Sequence, residues 1–106
     1  MTPKAQRIAI AEFCGYTHVR IVKSIEGPPD IGIGHHPTEP HSVPDYLNDL
    51  NAMHEAEKVL RNNQRGDFSF HLQKITGGEW FLCYNSTAAQ RAEALLRTIG
   101  KWEATK

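Results

Sequence analysis

The chain has 106 residues, of which 40% are apolar, and its 12 basic side chains balance its 12 acidic ones. This length predicts one domain that spans residues 1–106. Because the formal net charge is zero, the chain lacks the overall positive field that draws proteins onto duplex nucleic acid or anionic membranes. No apolar run approaches the roughly 20 residues that a membrane-spanning helix needs, and the N-terminus lacks the apolar centre of a signal peptide.

The two cysteines favour a reducing compartment. Cys14 and Cys83 each lie in apolar surroundings, as small buried side chains do, and they do not resemble a disulfide framework. We therefore expect a cytoplasmic protein without a disulfide.

The first two predicted elements are a helix and a strand. Thr2-Pro3 is typical of a helix N-terminus, and the apolar residues after it follow helical spacing until Gly15. The β-branched segment 16–25 then predicts a strand. Its alternation separates Val19 and Ile21 from His18, Arg20 and Val22.

Residues 26–43 are predicted to form one long irregular loop. The segment contains four prolines and three glycines and shows neither helical nor strand periodicity. Structureless loops longer than about 12–15 residues are commonly functional or disordered in compact domains. We therefore expect this Gly-, Pro- and His-rich loop to be the functional segment.

A second helix is predicted to begin at Pro44, with acidic residues near its start and basic residues near its end, as the helix dipole favours. Its core stripe follows three- and four-residue steps and consists of Leu47, Leu50, Met53, Ala56 and Leu60. The other face carries Asn51, His54, Glu55 and Lys58. We interpret that face as hydrated, with Glu55 placed to meet Lys58, rather than as an acid–base site.

The second half of the chain predicts a hairpin and a last helix. After a break at 62–66, Phe68, Phe70 and Leu72 alternate with polar residues, which indicates a strand. Turn residues 76–78 and the apolar stretch 80–84 complete the hairpin. A capping box of Thr87 and Gln90 starts the helix, which ends at Gly100.

These elements define an α+β class. We predict a small layered sandwich of three helices packed on a three-stranded, mostly antiparallel sheet, with one long loop.

The sequence contains six histidines, three of them within residues 35–41, and these three are candidate metal ligands. Imidazoles together with Glu39 have the chemistry to hold zinc and a reactive water. However, no second ligand pair at zinc-site spacing accompanies them, and His35 and His36 are adjacent. We predict no metal and no cofactor. A metal-dependent hydrolase that uses these histidines is the least favoured alternative.

The same loop contains Gly32-Ile33-Gly34, where two glycines would let backbone amides approach an anion. Histidine and arginine side chains would assist those amides, and an aromatic side chain would stack on a base. The predicted ligand-binding residues are Arg20, Gly32, Gly34, His35, His36, Tyr46 and Trp80. The alternative is that glycine and proline only route the chain around the edge of the sheet.

No catalytic arrangement is recognisable. The sequence contains no Ser-His-Asp triad, nucleophile elbow, Walker loop or paired carboxylates at workable spacing. Neither cysteine has surroundings that would activate a thiolate. We predict that the protein is not an enzyme.

Three segments resemble the phage ABA sandwich domain family. VPDYLNDLNAMHEAEKVL at 43–60 and TAAQRAEALLRTIGKWE at 87–103 are similar to its two hallmark stretches, and IAEFCGY at 10–16 resembles its opening helix. Together they cover about forty of the 106 residues. The resemblance implies a phage or prophage protein with a sheet layered between helices, and it implies no catalytic residues.

Two functional hypotheses follow. The first is a phage counter-defence protein that sequesters a nucleotide-like immune signal in the host cytosol without turning it over. We expect a homo-oligomer, since a domain of this size forms deep pockets most readily between subunits. The alternative is an interaction module that inhibits a host or phage protein through helix two or exposed aromatic side chains.

Overall fold

Four helices and three short strands make up the part of the chain that the computed structural model describes, residues 1–22, 31–35, 40–78 and 85–103. In chain order they are α1 (Pro3–Phe13), β1 (Thr17–Val22), β2 (Ile31–His35), β3 (Pro40–Val43), α2 (Leu50–Glu57), α3 (Asn62–Ile75) and α4 (Ala88–Thr98). The predicted α+β class is confirmed, with one helix more than expected.

The first and last helices begin at the predicted caps. The Thr2 hydroxyl accepts a hydrogen bond from the Ala5 N–H at 3.1 Å, and Pro3 occupies the first turn. At α4, the Gln90 N–H donates to the Thr87 hydroxyl at 3.1 Å, and the Thr87 N–H donates to the Gln90 side chain at 2.9 Å. Both helix starts are therefore specified by residues within three positions of each other.

The sheet is antiparallel, in the order β1-β2-β3. The predicted irregular loop at 26–43 is therefore wrong for residues 31–35 and 40–43, which form β2 and β3. Residues 26–30 and 36–39 lie outside the described part. Glycine and proline disfavour strands locally, but pairing on both sides of β2 and packing beneath α1 override that preference.

The helix predicted from Pro44 begins instead at Leu50. The Asp49 carboxylate caps it, accepting from the N–H groups of Asn51 at 3.0 Å and Ala52 at 3.2 Å. The preceding residues form a turn in which the Asp49 N–H donates to the Asp45 carbonyl at 2.9 Å. Because the helix starts later than predicted, Leu50 is 42% exposed, whereas the later stripe residues Met53, Ala56 and Leu60 are buried.

The strand predicted around Phe68 is wrong, because residues 62–75 form α3. The Arg61 N–H donates to the Gln64 side chain at 2.8 Å and so helps to start this helix. Phe68 and Leu72, four residues apart, are buried on one helix face, while Phe70 is 54% exposed. The turn expected at 76–78 follows the helix, with Gly77 and Gly78 at φ of 115° and 92°. The returning strand predicted at 80–84 lies outside the described residues.

The core is centred on α4, which packs against α1, α2 and α3. Its Leu95 and Leu96 are fully buried, together with Ile10 of α1 and Met53 of α2. The sheet lies beside this helical core, with β1 packed against α1. None of the described helices is long and apolar enough to cross a membrane.

Candidate functional site: the outer face of the sheet

The two faces of the sheet differ in exposure. Gly32 and Gly34 of β2 and Ile21 of β1 are buried and form the inner face. Side chains alternate along a strand, so the intervening residues point the other way. The outer face therefore carries Arg20 and Val22 of β1, Ile31, Ile33 and His35 of β2, and Ser42 of β3.

A bulge in β1 brings two histidines together. The regular pairing of β1 with β2 is interrupted between Thr17 and Arg20, and His18 adopts a φ of 54°. This left-handed backbone is uncommon for a side chain other than glycine, although histidine tolerates it better than most. The ring of His18 lies edge-on to that of His35, with centroids 5.3 Å apart. The bulge thus re-aims His18 across the strands, as bulges commonly do.

Arg20 joins this pair from the neighbouring register position. It lies directly opposite Ile33, which is two residues before His35 on the same face. Diagonal neighbours across a sheet are about 7–8 Å apart, within reach of a long side chain. Arg20 is exposed, and no residue in the described ranges forms an ion pair with it. Arg20, His18 and His35, which we call the outer cationic cluster, therefore share one region of the outer face, and each carries N–H donors.

An apolar surface adjoins the outer cationic cluster. Val22 pairs with Ile31 across the strands, and the two side chains are 37% and 49% exposed. Ile33, half-buried, lies between them and His35. The outer face therefore combines hydrogen-bond donors at one end with an exposed aliphatic patch at the other.

Gly32 and Gly34 do not form the predicted anion-binding loop. β2 is the central strand, so its backbone groups face a ladder on each side. The two glycines instead allow close packing. A Cβ at Gly32 would lie 2.7 Å from Nη2 of Arg7, and one at Gly34 would lie 3.1 Å from Cγ2 of Val43. Their role in this structure is to bring α1 and β3 close to β2.

Tyr46 lies in the core rather than at a ligand surface. Its side chain is 3% exposed, and its hydroxyl donates to the Cys14 sulfur. Burial raises the pKa of Tyr46 well above its ordinary value, and burial also raises the pKa of the Cys14 thiol. Both groups are therefore neutral at physiological pH. Tyr46 lines the floor of a groove beside α2, but so little of its surface is exposed that a base could not stack on the face of its ring.

Of the seven predicted ligand-binding residues, the structure brings two together. Arg20 and His35 share the outer face, whereas Gly32, Gly34 and Tyr46 lie on the inner side. His36 and Trp80 lie outside the described residues. His18 was missed, although its position beside Arg20 on the polar side of the predicted strand was a usable signal. Its contact with His35 could not be predicted, because the sequence predicts a loop for residues 31–35, which form β2.

The polar face of α2 is hydrated, as expected. Glu55 and Lys58 form an ion pair of 2.8 Å in which both side chains are more than two-thirds exposed. Within the described ranges, no three His, Cys, Asp or Glu side chains lie close enough together to hold a metal ion.

Comparisons with known proteins found no relative: no family model matches the chain, and no curated protein or solved structure matches it either. The resemblance of residues 10–16, 43–60 and 87–103 to the phage ABA sandwich domain stays a prediction.

Proposed function

We propose that the chain is a small binding protein that sequesters a nucleotide-like anion on the outer face of its sheet and releases it unchanged. The observation that carries this proposal is the contact between His18 and His35 on the sheet face that also carries Arg20 and the exposed pair Val22 and Ile31. A nucleotide has the same two parts, an anionic phosphate and a largely apolar base.

The chemistry of each group suits that ligand. The Arg20 guanidinium matches two phosphate oxygens at once, which is stronger and more selective than a single contact. His18 and His35 each add a ring N–H donor for a phosphate oxygen. The aliphatic patch would pack against the base or the sugar and release ordered water.

A second copy of the chain would complete the site. A sheet face contacts only one side of a ligand, whereas tight small-molecule sites enclose most of the ligand surface. We therefore propose a homo-oligomer in which two outer faces enclose one ligand. The resemblance to phage proteins motivates the biological context, a counter-defence protein that removes an immune signal in the host cytosol.

Calorimetry with cyclic dinucleotides and ADP-ribose-type nucleotides tests this function. We expect at least one of these ligands to bind and to be recovered intact by chromatography. Arg20→Ala should weaken that binding by tenfold or more, because charge-assisted hydrogen bonds contribute about 1.5–3 kcal/mol. The matched control is Lys58→Ala, which removes an exposed cation from α2 and should leave the affinity unchanged.

Three outcomes would contradict the proposal. The first is absence of binding across the whole panel, and the second is equal loss of affinity in the Arg20 and Lys58 variants. The third is recovery of cleaved ligand in a reaction that a chelator abolishes, which would instead favour a metal-dependent hydrolase.

One observation favours a second candidate, an interaction module for a host or phage protein. A groove of about 390 Å³ runs between α2 and the end of α1, and Val59 on its rim is 46% exposed. Val59→Glu should abolish capture of a stable partner from infected cells while leaving nucleotide affinity unchanged. Unchanged capture would contradict this role for the groove.

A further inference from the structure

A second groove lies between α3 and α4, on helices that are separate from the sheet. Its volume is about 420 Å³, within the range of small-molecule sites. It is lined by Phe70, His71, Lys74, Ile75, Glu93 and Arg97. Because α3 and α4 pack directly on each other, its walls are held by the core of the protein.

Phe70 forms an aromatic surface at this groove. It is 54% exposed, more than any other large apolar side chain in the described ranges. The Lys74 ammonium lies over the face of its ring, 4.6 Å from the centroid, and the His71 ring lies edge-on with centroids 5.7 Å apart. Lys74 is exposed and its side chain is flexible, so a planar ligand can replace the ammonium on the ring face. Stacking then buries the ring, and the displaced ammonium can meet an anionic substituent of the ligand.

The charges of the groove favour an anion. In the part of the chain that the structure describes, Lys74 has no carboxylate partner. Across the groove, Nε of Arg97 lies 2.9 Å from Oε2 of Glu93, and its guanidinium also lies over the Trp102 ring at 5.2 Å. The one carboxylate in the lining is thus already paired, and the ammonium of Lys74 is the charge that a ligand would complement.

We propose that this groove binds a small planar ligand that carries an anionic group, an aromatic carboxylate or an aromatic phosphate ester. The ring of the ligand stacks on Phe70 in place of the Lys74 ammonium, which turns aside to meet the anion of the ligand. The site is independent of the outer cationic cluster, because it shares no residue with the sheet.

Two-dimensional amide NMR with phenyl phosphate and benzoate as probes tests this site. We expect either probe to shift the amides of Phe70, Lys74 and Arg97 in a saturable manner, and to shift those of β1 and β2 less. Benzyl alcohol, which has the ring without the charge, and inorganic phosphate, which has the charge without the ring, should each bind at least fivefold more weakly.

Two variants should weaken probe binding by fivefold or more, Phe70→Ala through lost stacking and Lys74→Gln through lost charge. Both replaced side chains are exposed, so both variants should keep the helical circular dichroism of the parent. The matched control is Arg65→Gln, which removes another exposed cation of α3 outside the groove lining and should leave the affinity unchanged.

The proposal is overturned if neither probe shifts the groove amides, or if inorganic phosphate alone binds as tightly as phenyl phosphate. Equal weakening by Arg65→Gln and Lys74→Gln would also overturn it, because attraction would then depend on overall charge. Arg20→Ala should leave phenyl phosphate binding intact, so that failure of this site and failure of the proposed nucleotide site are separate results.

Discussion

At the scale of single residues, Arg7 joins the first helix to the end of the sheet. Its buried guanidinium donates from Nε to the Pro44 carbonyl at 2.9 Å and from Nη2 to the Val43 carbonyl at 2.5 Å. These charge-assisted bonds satisfy backbone carbonyls where β3 ends. The guanidinium can take this position because Gly32 beneath it has no side chain.

We expect Gly32→Ala to lower the free energy of unfolding by about 1–3 kcal/mol. The added methyl group would meet Cβ of Val43 at 2.9 Å as well as Arg7, and both would have to shift. The matched control is Gly66→Ala in α3, where nothing lies within 4 Å of the new atom and where alanine should stabilise the helix by about 0.5–1 kcal/mol. Urea unfolding measures both variants, and equal stabilities would contradict close packing at Gly32.

The ion pair between Glu57 and Arg91 is mostly withdrawn from solvent. Oε1 of Glu57 lies 2.7 Å from Nη1 of Arg91, and each side chain is 16% exposed. The second carboxylate oxygen, Oε2, is buried without a hydrogen-bond partner among the described residues. Burial raises the pKa of Glu57, and the neighbouring Arg91 opposes this rise only in part.

This raised pKa predicts a pH dependence with a definite sign. The folded state holds the Glu57 proton more tightly than the unfolded state, so the stabilising contribution is complete below the ordinary glutamate pKa of about 4.3. It is lost as the pH rises through the raised value. Relative to the parent, Glu57→Gln should therefore gain stability as the pH rises from about 4 to 7.

Urea unfolding of the parent and of Glu57→Gln across this pH range measures that difference. The same substitution at the exposed Glu55 serves as the control, because its pair with Lys58 is solvated and contributes little. A difference between parent and Glu57→Gln that stays constant with pH would show that burial does not perturb this carboxyl group.

At the scale of elements, α3 shows how tertiary contacts choose between two periodicities. Phe68, Phe70 and Leu72 alternate as a strand would, but Phe68 and Leu72 also share one face of a helix. The helix is selected because that face packs against α4 and because Gln64 bonds back to the N–H of Arg61. Only two of the three apolar residues are then buried, and Phe70 is left at the α3–α4 groove.

The helical assignment predicts unequal effects of two matched substitutions. Phe68→Ala should destabilise the protein by about 3 kcal/mol, since it leaves a cavity in the core. Phe70→Ala should change stability by less than about 0.5 kcal/mol, as exposed positions usually do. A strand with all three apolar residues on one buried face would give similar losses at both positions, so equal destabilisation in urea would contradict the helix.

At the scale of the whole molecule, stability is centred on α4. This helix contacts the other three helices, and Ala92, Ala94, Leu95 and Leu96 have no exposed surface. The sheet is attached to this core mainly through α1. The molecule therefore consists of a helical centre and a more peripheral sheet whose outer face meets solvent.

Native-state hydrogen exchange should show that the free energy of local opening is higher in α4 than in the sheet. The amides of Leu95 and Leu96 should exchange only through global unfolding, with a free energy equal to that from urea unfolding. The amides around the bulge at His18 should exchange through a smaller opening, because pairing is interrupted there. Faster exchange in α4 than at His18 would contradict a core centred on α4.

Features that depend on near neighbours in the chain can be predicted from the sequence. The caps at Thr2 and Thr87 and the sidedness of β1 all follow from side chains within a few positions of each other. Such contacts form with little loss of chain entropy, so they can be recognised from the local sequence. The α+β class also followed, because helical and alternating patterns were both present, although the loop predicted at 26–43 and the strand predicted around Phe68 were wrong.

The strands at 31–35 and 40–43 and the site on the sheet depend instead on contacts between residues far apart in the chain. Residues 31–35 become a strand because β1 and β3 supply partners, and Gly32 lies in it because Arg7 occupies the space above. The outer cationic cluster exists because His18 and His35, distant in sequence, meet across a bulged ladder. Such pairings depend on the cost of closing long chain segments and on the surfaces available to cover each face, which no local pattern encodes.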